Sequence, residues 1–184
     1  MNRFLLLLTA VCTACISACA QDKKENMKTA KVLVAYFSAT GTTAKVAHEI
    51  VAVSKGDIYE IVPEKPYTDA DLNWNDKKSR SSVEMDDSKA RPTLKGQKEN
   101  MNDYDIVFIG YPIWWNLAPR IINTFIEKHD LEGKVLVPFA TSGGSGINNS
   151  VNVLKKTYPD LKWENGRLLN SANRKMLQGW IDDL

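Results

Sequence analysis

Short apolar runs alternate with helical periodicity along this chain after residue 30. Five segments predict strands, and they are Val32–Phe37, Asp57–Val62, Asp105–Gly110, Val135–Ala140 and Trp163–Leu169. Between them, apolar residues recur at helical spacing, as at Val46 and Ile50, Ile121 and Phe125, Ile147 and Val151, and Leu177 and Trp180. Strands that are almost continuously apolar belong to parallel sheets covered on both faces. We therefore predict an α/β fold with a doubly wound five-stranded parallel sheet, order 2-1-3-4-5, and helices on both faces.

A hydroxyl-rich loop follows the first predicted strand and opens the first helix. Its residues are Ser38, Ala39, Thr40, Gly41, Thr42 and Thr43. Unpaired amides and the helix dipole favour an anion at such a position. The loop holds no Lys or Arg and lacks the Gly-Lys-Ser/Thr of a Walker loop, which favours one terminal monophosphate. The alternative is that these hydroxyls only cap the helix.

Two adjacent tryptophans distinguish the loop after the third strand. The segment Tyr111–Pro119 contains Pro112, Ile113, Trp114, Trp115 and Asn116. Indole faces on either side of a bound ring system would explain the pair. An exposed aromatic patch for a partner, or one Trp in the core and one at the surface, are the alternatives. Asn116 is the residue in this loop best suited to a left-handed backbone.

A glycine-rich loop follows the fourth strand. Residues 141–146 include Thr141, Ser142, Gly143 and Gly144, and an amphipathic helix comes next. Glycines let the backbone approach a ligand and leave N–H groups free to face it. A flexible linker has a similar composition but does not fall between a buried strand and a helix. Pro138 removes a donor from that strand, so we expect a local bulge there.

These three loops converge if the strand order is right, because strands one, three and four are then neighbours. Their carboxyl ends meet at the crevice where the winding direction reverses. A ligand there would carry a phosphate at one end and a flat aromatic system at the other. That description fits flavin mononucleotide, FMN.

The chain from Lys31 onward resembles the flavodoxin-like family, especially a bacterial branch. The resemblance is carried by Tyr36-Phe37-Ser38 with Gly41-Thr42-Thr43, by residues 63–68, by Tyr111-Pro112-Ile113-Trp114-Trp115, and by residues 138–146. It implies non-covalent FMN, with phosphate on Ser38–Thr43, ring and ribityl contacts at Pro112–Asn116, and pyrimidine-edge contacts from the backbone of Thr141–Gly144. It also suggests that a peptide near Asn116 can turn with the redox state of the cofactor.

Several functions fit such a protein. The first is an electron-transfer flavodoxin that serves a redox partner protein or a small-molecule electron acceptor. The second is an NAD(P)H-dependent FMN reductase of quinones or nitro compounds, which needs an open ring face. The third is an envelope lipoprotein with the fold but no flavin. We predict no catalytic residue and no metal ligand, because the pattern offers no triad or cluster.

The amino terminus resembles a bacterial lipoprotein signal. Met1–Arg3 is followed by an apolar run, and Ile16-Ser17-Ala18-Cys19 resembles a lipobox. We expect a signal peptide at 1–18, a lipidated Cys19 with a flexible tether to residue 30, and one domain at 31–184. The protein would then be anchored to a membrane of the cell envelope. If translation starts at Met27 instead, the protein is cytoplasmic.

The net charge and the remaining segments indicate less about function than the three loops do. Cleavage before Cys19 leaves 23 basic and 22 acidic residues, which gives no argument for nucleic acid. The polar segment Glu64–Met101 predicts either a helix around residues 71–85 with solvated loops, or a lid in which Tyr67, Trp74 or Arg80 shapes a pocket. Residues 97–104 are expected to be a surface connection, His48 to be solvated, and His129 to suit a helix dipole.

Overall fold

A computed structural model describes residues 30–171 and 173–184 of the chain. The sheet order is β2-β1-β3-β4-β5, all parallel, and the short strand β6 also pairs with β4. Its strands are β1 Val32–Tyr36, β2 Asp57–Glu60, β3 Ile106–Pro112, β4 Val135–Thr141, β5 Lys162–Trp163 and β6 Arg167–Leu168. The predicted fold class and strand order are confirmed.

In the part of the chain that the structure describes, five helices and one 3-10 turn accompany these strands. They are α1 Thr42–Ser54, α2 Arg80–Asp86, α3 Arg120–Lys128, α4 Asn148–Thr157 and α5 Arg174–Asp182, with the 3-10 turn at Met101–Asp103. Pro119 lies at the N-cap of α3, where its missing N–H costs no helical hydrogen bond. The predicted signal segment, Cys19 and the tether as far as residue 29 lie outside the described residues.

Side chains of the central strands alternate between two cores. On one face, Leu33, Val107 and Leu136 pack with the buried residues of α3 and α4. On the other face, Val34 and Phe108 join the buried residues of α1 and α5. This double burial explains why the strands are apolar throughout. The edge strand β2 is largely exposed, which matches its polar sequence.

The fifth predicted strand is interrupted. Trp163 pairs with Leu136 and Arg167 pairs with Phe139, so three residues of this strand lie opposite two residues of β4. The extra residue lies across from Pro138, which has no N–H for the ladder. Glycine suits position 166 of this segment, because a Cβ there would lie 2.8 Å from side-chain atoms of Ile147 and Val151. The bulge expected at Pro138 itself is not formed, because β4 pairs with β3 in unbroken register from Val135 to Thr141, and the irregularity lies in the neighbouring strand instead.

The segment 64–101, which we call the excursion, is largely irregular. Its two ends pair with each other, since Glu64 N–H donates to Thr93 O and Lys95 N–H donates to Val62 O. The helix expected around residues 71–85 is shorter than predicted, because within that range only the α2 residues are helical. Thr68, Asp71 and Asp76 side chains instead bond nearby backbone N–H groups, which competes with helix formation.

Three hydrogen-bonded contacts attach the excursion to α3. Buried Arg120 donates to the carbonyls of Glu84 and Met85 at the end of α2. Arg91 forms a two-pronged pair with Glu127, at 2.8 Å for each bond. The N–H of Lys98 donates to His129 Nε2 over 2.9 Å. The excursion is thus part of the folded body of the protein.

Within residues 30–171 and 173–184, no helix combines the length and apolar character needed to cross a bilayer.

Candidate functional site

The loop after β1 forms an open helix N-terminus. Gly41 takes the N-cap position in a left-handed conformation, with φ of 84° and no atom within 4 Å of where a Cβ would lie. In the described chain, the N–H groups of Thr40, Gly41, Thr42 and Thr43 meet no protein acceptor, while Ala44 N–H donates to Ser38 Oγ. These four amide donors are unpaired, and Thr40, Gly41 and Thr42 are exposed, whereas Thr43 is buried.

Direct contacts join the loop after β1 to the other two loops. The hydroxyls of Thr43 and Thr141 share a buried hydrogen bond of 2.8 Å. The ring of Phe37 meets Trp114 edge-on, with centroids 5.6 Å apart. All three predicted loops therefore lie at one end of the sheet and touch one another.

The two tryptophans differ in environment. Trp114 is partly buried against one core and also meets the Tyr67 ring edge-on at 5.3 Å. Trp115 is 47% exposed. This arrangement agrees with the alternative in which one Trp packs on the core and the other lies at the surface.

A tight turn sets these opposite orientations. Trp114 and Leu117 exchange two backbone hydrogen bonds of 3.0 and 2.9 Å, and the residues between them, Trp115 and Asn116, have φ of 44° and 66°. Positive φ at both central positions defines a type I′ turn. The expected left-handed backbone at Asn116 is confirmed. Its carbonyl accepts a hydrogen bond from Asn149 Nδ2 over 3.0 Å.

The glycine-rich loop has fewer free donors than its composition suggests. Ser142 N–H donates to Asn170 Oδ1, and the N–H groups of Gly144 and Ser145 donate to Ser142 Oγ. In the described chain, Gly143 N–H has no protein acceptor. Asn170 lies two residues after the end of β6, so the interrupted fifth strand helps to position this loop.

An apolar cleft lies beside the tryptophan loop. Its volume is about 330 Å³, and its walls are Ile113, Trp114 and Trp115 together with Leu72, Trp74 and Ser81 of the excursion. Leu72 and Ser81 were not among the predicted site residues. No local pattern marks them, because they reach the cleft only through the packing of the excursion. Trp74 of the excursion lies in the wall of this cleft, while the lid interpretation of that segment stays a prediction.

A hydrogen-bonded network of excursion side chains lies next to Trp114. Glu84 accepts hydrogen bonds from the Tyr67 hydroxyl and from Arg80 Nε, and Arg80 also donates to Lys65 O. The Arg80 guanidinium lies 4.0 Å from the Tyr67 ring centroid. Burial is the main cause that raises the pKa of the Tyr67 phenol, and the hydrogen bond to Glu84 raises it further. The phenol therefore stays neutral. Tyr67 therefore packs against Trp114, and Arg80 and Glu84 hold Tyr67 in place.

The two histidines lie away from this crevice. His48 is exposed on α1 as predicted. His129 caps α3, but burial lowers its pKa, and its Nε2 accepts a hydrogen bond from the Lys98 N–H. Its Nδ1 donates to Phe125 O over 2.7 Å in the last turn of α3, so the expected place at the helix C-terminus is confirmed, although the lowered pKa favours a neutral ring. Among the described residues, no group of three or more His, Cys, Asp or Glu side chains could hold a metal.

Comparisons with known proteins agree with this geometry. The flavodoxin family model matches residues 31–184. A protein from Bacteroides eggerthii assigned as a flavoprotein is 65% identical, with a TM-score of 0.82, over 83% of this chain and 96% of that chain. One from Bacteroides uniformis, also assigned as a flavoprotein, is 56% identical, with a TM-score of 0.80, over 83% and 97%.

A more distant structure is a flavoprotein from Lactobacillus acidophilus in complex with FMN. It is 22% identical, with a TM-score of 0.64, over 76% of this chain and 93% of that chain, which shows a shared fold. No protein of curated function matches the chain.

A parallel sheet of order β2-β1-β3-β4-β5, with loops that meet where the winding direction reverses between β1 and β3, defines the flavodoxin-like class of α/β proteins. Because the flavodoxin model spans most of the sequence, this protein belongs to the flavodoxin family.

Proposed function

We propose that this protein binds FMN in the crevice and works as an electron-transfer flavoprotein. One observation carries the proposal, namely that three ligand-type loops touch one another at the switch point. The family match and the FMN-bound structure from Lactobacillus acidophilus support the choice of cofactor.

The residues of the crevice fit each end of this cofactor. The free amides of residues 40–43 and the nearby hydroxyls suit a phosphate dianion. The apolar cleft beside Ile113 and Trp114 suits a flat ring. Bound FMN would supply one- and two-electron chemistry. Since loops 38–43, 111–119 and 141–146 contain no Lys or Arg, no cation of these loops would stabilise a negative reduced ring, and we expect a low potential.

An electron carrier is favoured over an NAD(P)H-dependent reductase. The excursion brings Trp74 to the cleft beside Trp115, so the open space that a nicotinamide would need is restricted. A carrier needs only an accessible edge near the ring, and the exposed Trp115 lies at such an edge.

The test is the cofactor preference of the purified protein. We expect a flavin absorbance spectrum after purification, and much tighter binding of FMN than of riboflavin to the flavin-free protein. Isothermal titration of both ligands measures the difference. Equal affinities would contradict a phosphate role for Ser38–Thr43.

Addition of NADPH to the flavin-loaded sample distinguishes an electron carrier from an NAD(P)H-dependent reductase, because NADPH should not reduce the flavin of a carrier.

We further propose that Cys19 is acylated and anchors the domain to a membrane of the cell envelope. The lipobox-like order of residues 16–19 supports this proposal. Cys19→Ala should abolish incorporation of a labelled fatty acid and should leave flavin binding intact, whereas Cys15→Ala should change neither. Lack of label on the parent protein, with an amino terminus at Met27, would contradict the anchor and indicate a cytoplasmic protein.

A further inference from the structure

A small cavity lies where the end of the excursion meets α3 and α4. Its volume is about 100 Å³. It shares no residue with the apolar cleft, with loop 38–43 or with loop 141–146, and it meets the tryptophan loop only at Leu117 and Ala118, beyond the turn. The cavity is therefore separate from the candidate cofactor site. Its polar walls come from Ser88, Arg91, Arg120, Asn123, Ser150 and Thr157.

The charge of these walls is positive. Two guanidinium groups line the cavity and, among the described residues, no carboxylate does. Arg91 is paired with Glu127, which offsets its charge. Arg120 is only 8% exposed, has no ion pair in the described chain, and donates to two neutral carbonyls at the end of α2. Asp87 attracts it without a hydrogen bond. A buried cation without a bonded counter-ion is costly, so an anion in the cavity would stabilise it.

The relation between the two guanidinium groups points the same way. Burial, and then repulsion by Arg91, lower the pKa of Arg120. An oxyanion in the cavity that they both line would offset this repulsion.

The cavity also offers donors that no protein group occupies. Nη1 of Arg120 has no acceptor in the described chain, and it is accessible, because no fully buried side-chain nitrogen there lacks a partner. The Ser88 hydroxyl makes no hydrogen bond within the described residues, although the Ser88 carbonyl accepts one from Arg91. Asn123 Nδ2 gives one of its two N–H groups to the Tyr158 hydroxyl over 3.0 Å, which leaves the other.

We propose that this cavity binds one free oxyanion of the size of inorganic phosphate, held by Arg120 and Ser88. The small volume favours a free ion over a larger phosphorylated molecule. A guanidinium presents its N–H groups in one plane and matches an oxyanion better than it matches chloride. The ion would tie the end of α2 to α3 and would so stabilise the excursion, which supplies Leu72, Trp74 and Ser81 to the apolar cleft. This binding does not depend on the proposed function.

The experiment is calorimetric titration with inorganic phosphate at an ionic strength fixed with chloride. The protein carries Thr40→Val and Thr42→Val, which weaken the other phosphate site, at residues 38–43. We expect saturable binding of one ion. Arg120→Gln should weaken it by roughly tenfold or more, because hydrogen bonds to a charged group are strong. Ser88→Ala, at an exposed position, should weaken it less. Arg174→Gln removes an exposed guanidinium from α5, is the matched control, and should have no effect.

Three results would overturn the proposal. One is the absence of saturable phosphate binding. Another is binding that Arg120→Gln and Ser88→Ala both leave unchanged, which would assign the ion to residues 38–43. The third is binding of phenyl phosphate as tight as that of inorganic phosphate, which contradicts a free ion in a small cavity.

A stability measurement keeps the test decisive if Arg120→Gln does not fold. A ligand that binds the folded protein raises its free energy of unfolding. Phosphate should therefore stabilise the protein with intact Ser88 more than it stabilises Ser88→Ala, and urea denaturation with and without phosphate measures the difference. Equal stabilisation of both proteins would contradict the site.

Discussion

The two ends of the crevice are built in different ways. At the phosphate end, residues 38–43 form a site from one continuous segment, through Gly41 and the first turn of α1. At the ring end, the cleft is assembled from the tryptophan turn and from Leu72, Trp74 and Ser81, which lie more than thirty residues earlier in the sequence. The first end depends on local backbone geometry, and the second depends on how the excursion packs on α3.

This difference predicts how each end responds to mutation. A change at the exposed Thr40 or Thr42 should alter ligand affinity and little else, whereas the buried Thr43 also bonds Thr141 and therefore supports the fold. A change at the ring end should alter stability as well as binding, because the same residues hold the excursion in place.

The largest expected effect is at the phosphate end. Replacing Thr40 and Thr42 by Val removes two hydroxyl donors to a charged group, each worth about 1.5–3 kcal/mol. The FMN dissociation constant should therefore rise by roughly two to four orders of magnitude. Titration with riboflavin is the control, since it has no phosphate and its affinity should not change. An equal loss for both ligands would show that the substitutions damage the loop itself.

A medium effect is expected at the tryptophan turn. Asn116 has φ of 66°, where a β-branched side chain is strained by about 1–3 kcal/mol. Asn116→Val should therefore lower the free energy of unfolding by that amount, while Asn116→Gly should preserve the turn. Urea denaturation of the three proteins measures this. Equal stability of the Val and Gly variants would show that the turn adopts another conformation in solution.

The smallest effect concerns the attachment of the excursion to α3. Burial lowers the pKa of His129, so the unfolded chain binds a proton more readily than the folded protein. The free energy of unfolding should then decrease as pH falls below the ordinary His pKa of about 6.5. His129→Gln should reduce this decrease, whereas His48→Gln, on an exposed position, should not. Denaturation at pH 7.5 and 5.5 tests it, and identical pH dependence in the parent protein and both variants would contradict it.

Most of the sheet could be predicted because its signal is local and strong. Val32–Phe37 and Val135–Ala140 are continuous apolar runs, and the structure places both in central strands. The fifth strand was harder, since it is interrupted at residues 164–166, where it lies beside Pro138 of the neighbouring strand. The helix in the excursion was predicted too long. Thr, Asp and Asn side chains there bond backbone N–H groups in place of helical hydrogen bonds, and composition alone did not predict where the helix would begin.

The sequence by itself determined the fold class, the strand order and the three loops, because hydrophobic period and the placement of Gly, Ser and Thr are local properties. Only the tertiary structure decided that Trp114 packs on the core while Trp115 faces outward, and that Ser142 and Asn170 engage donors of the glycine-rich loop. It also decided that Trp74 meets the tryptophan loop. These features join residues distant in sequence, so their energies depend on packing that no single segment encodes.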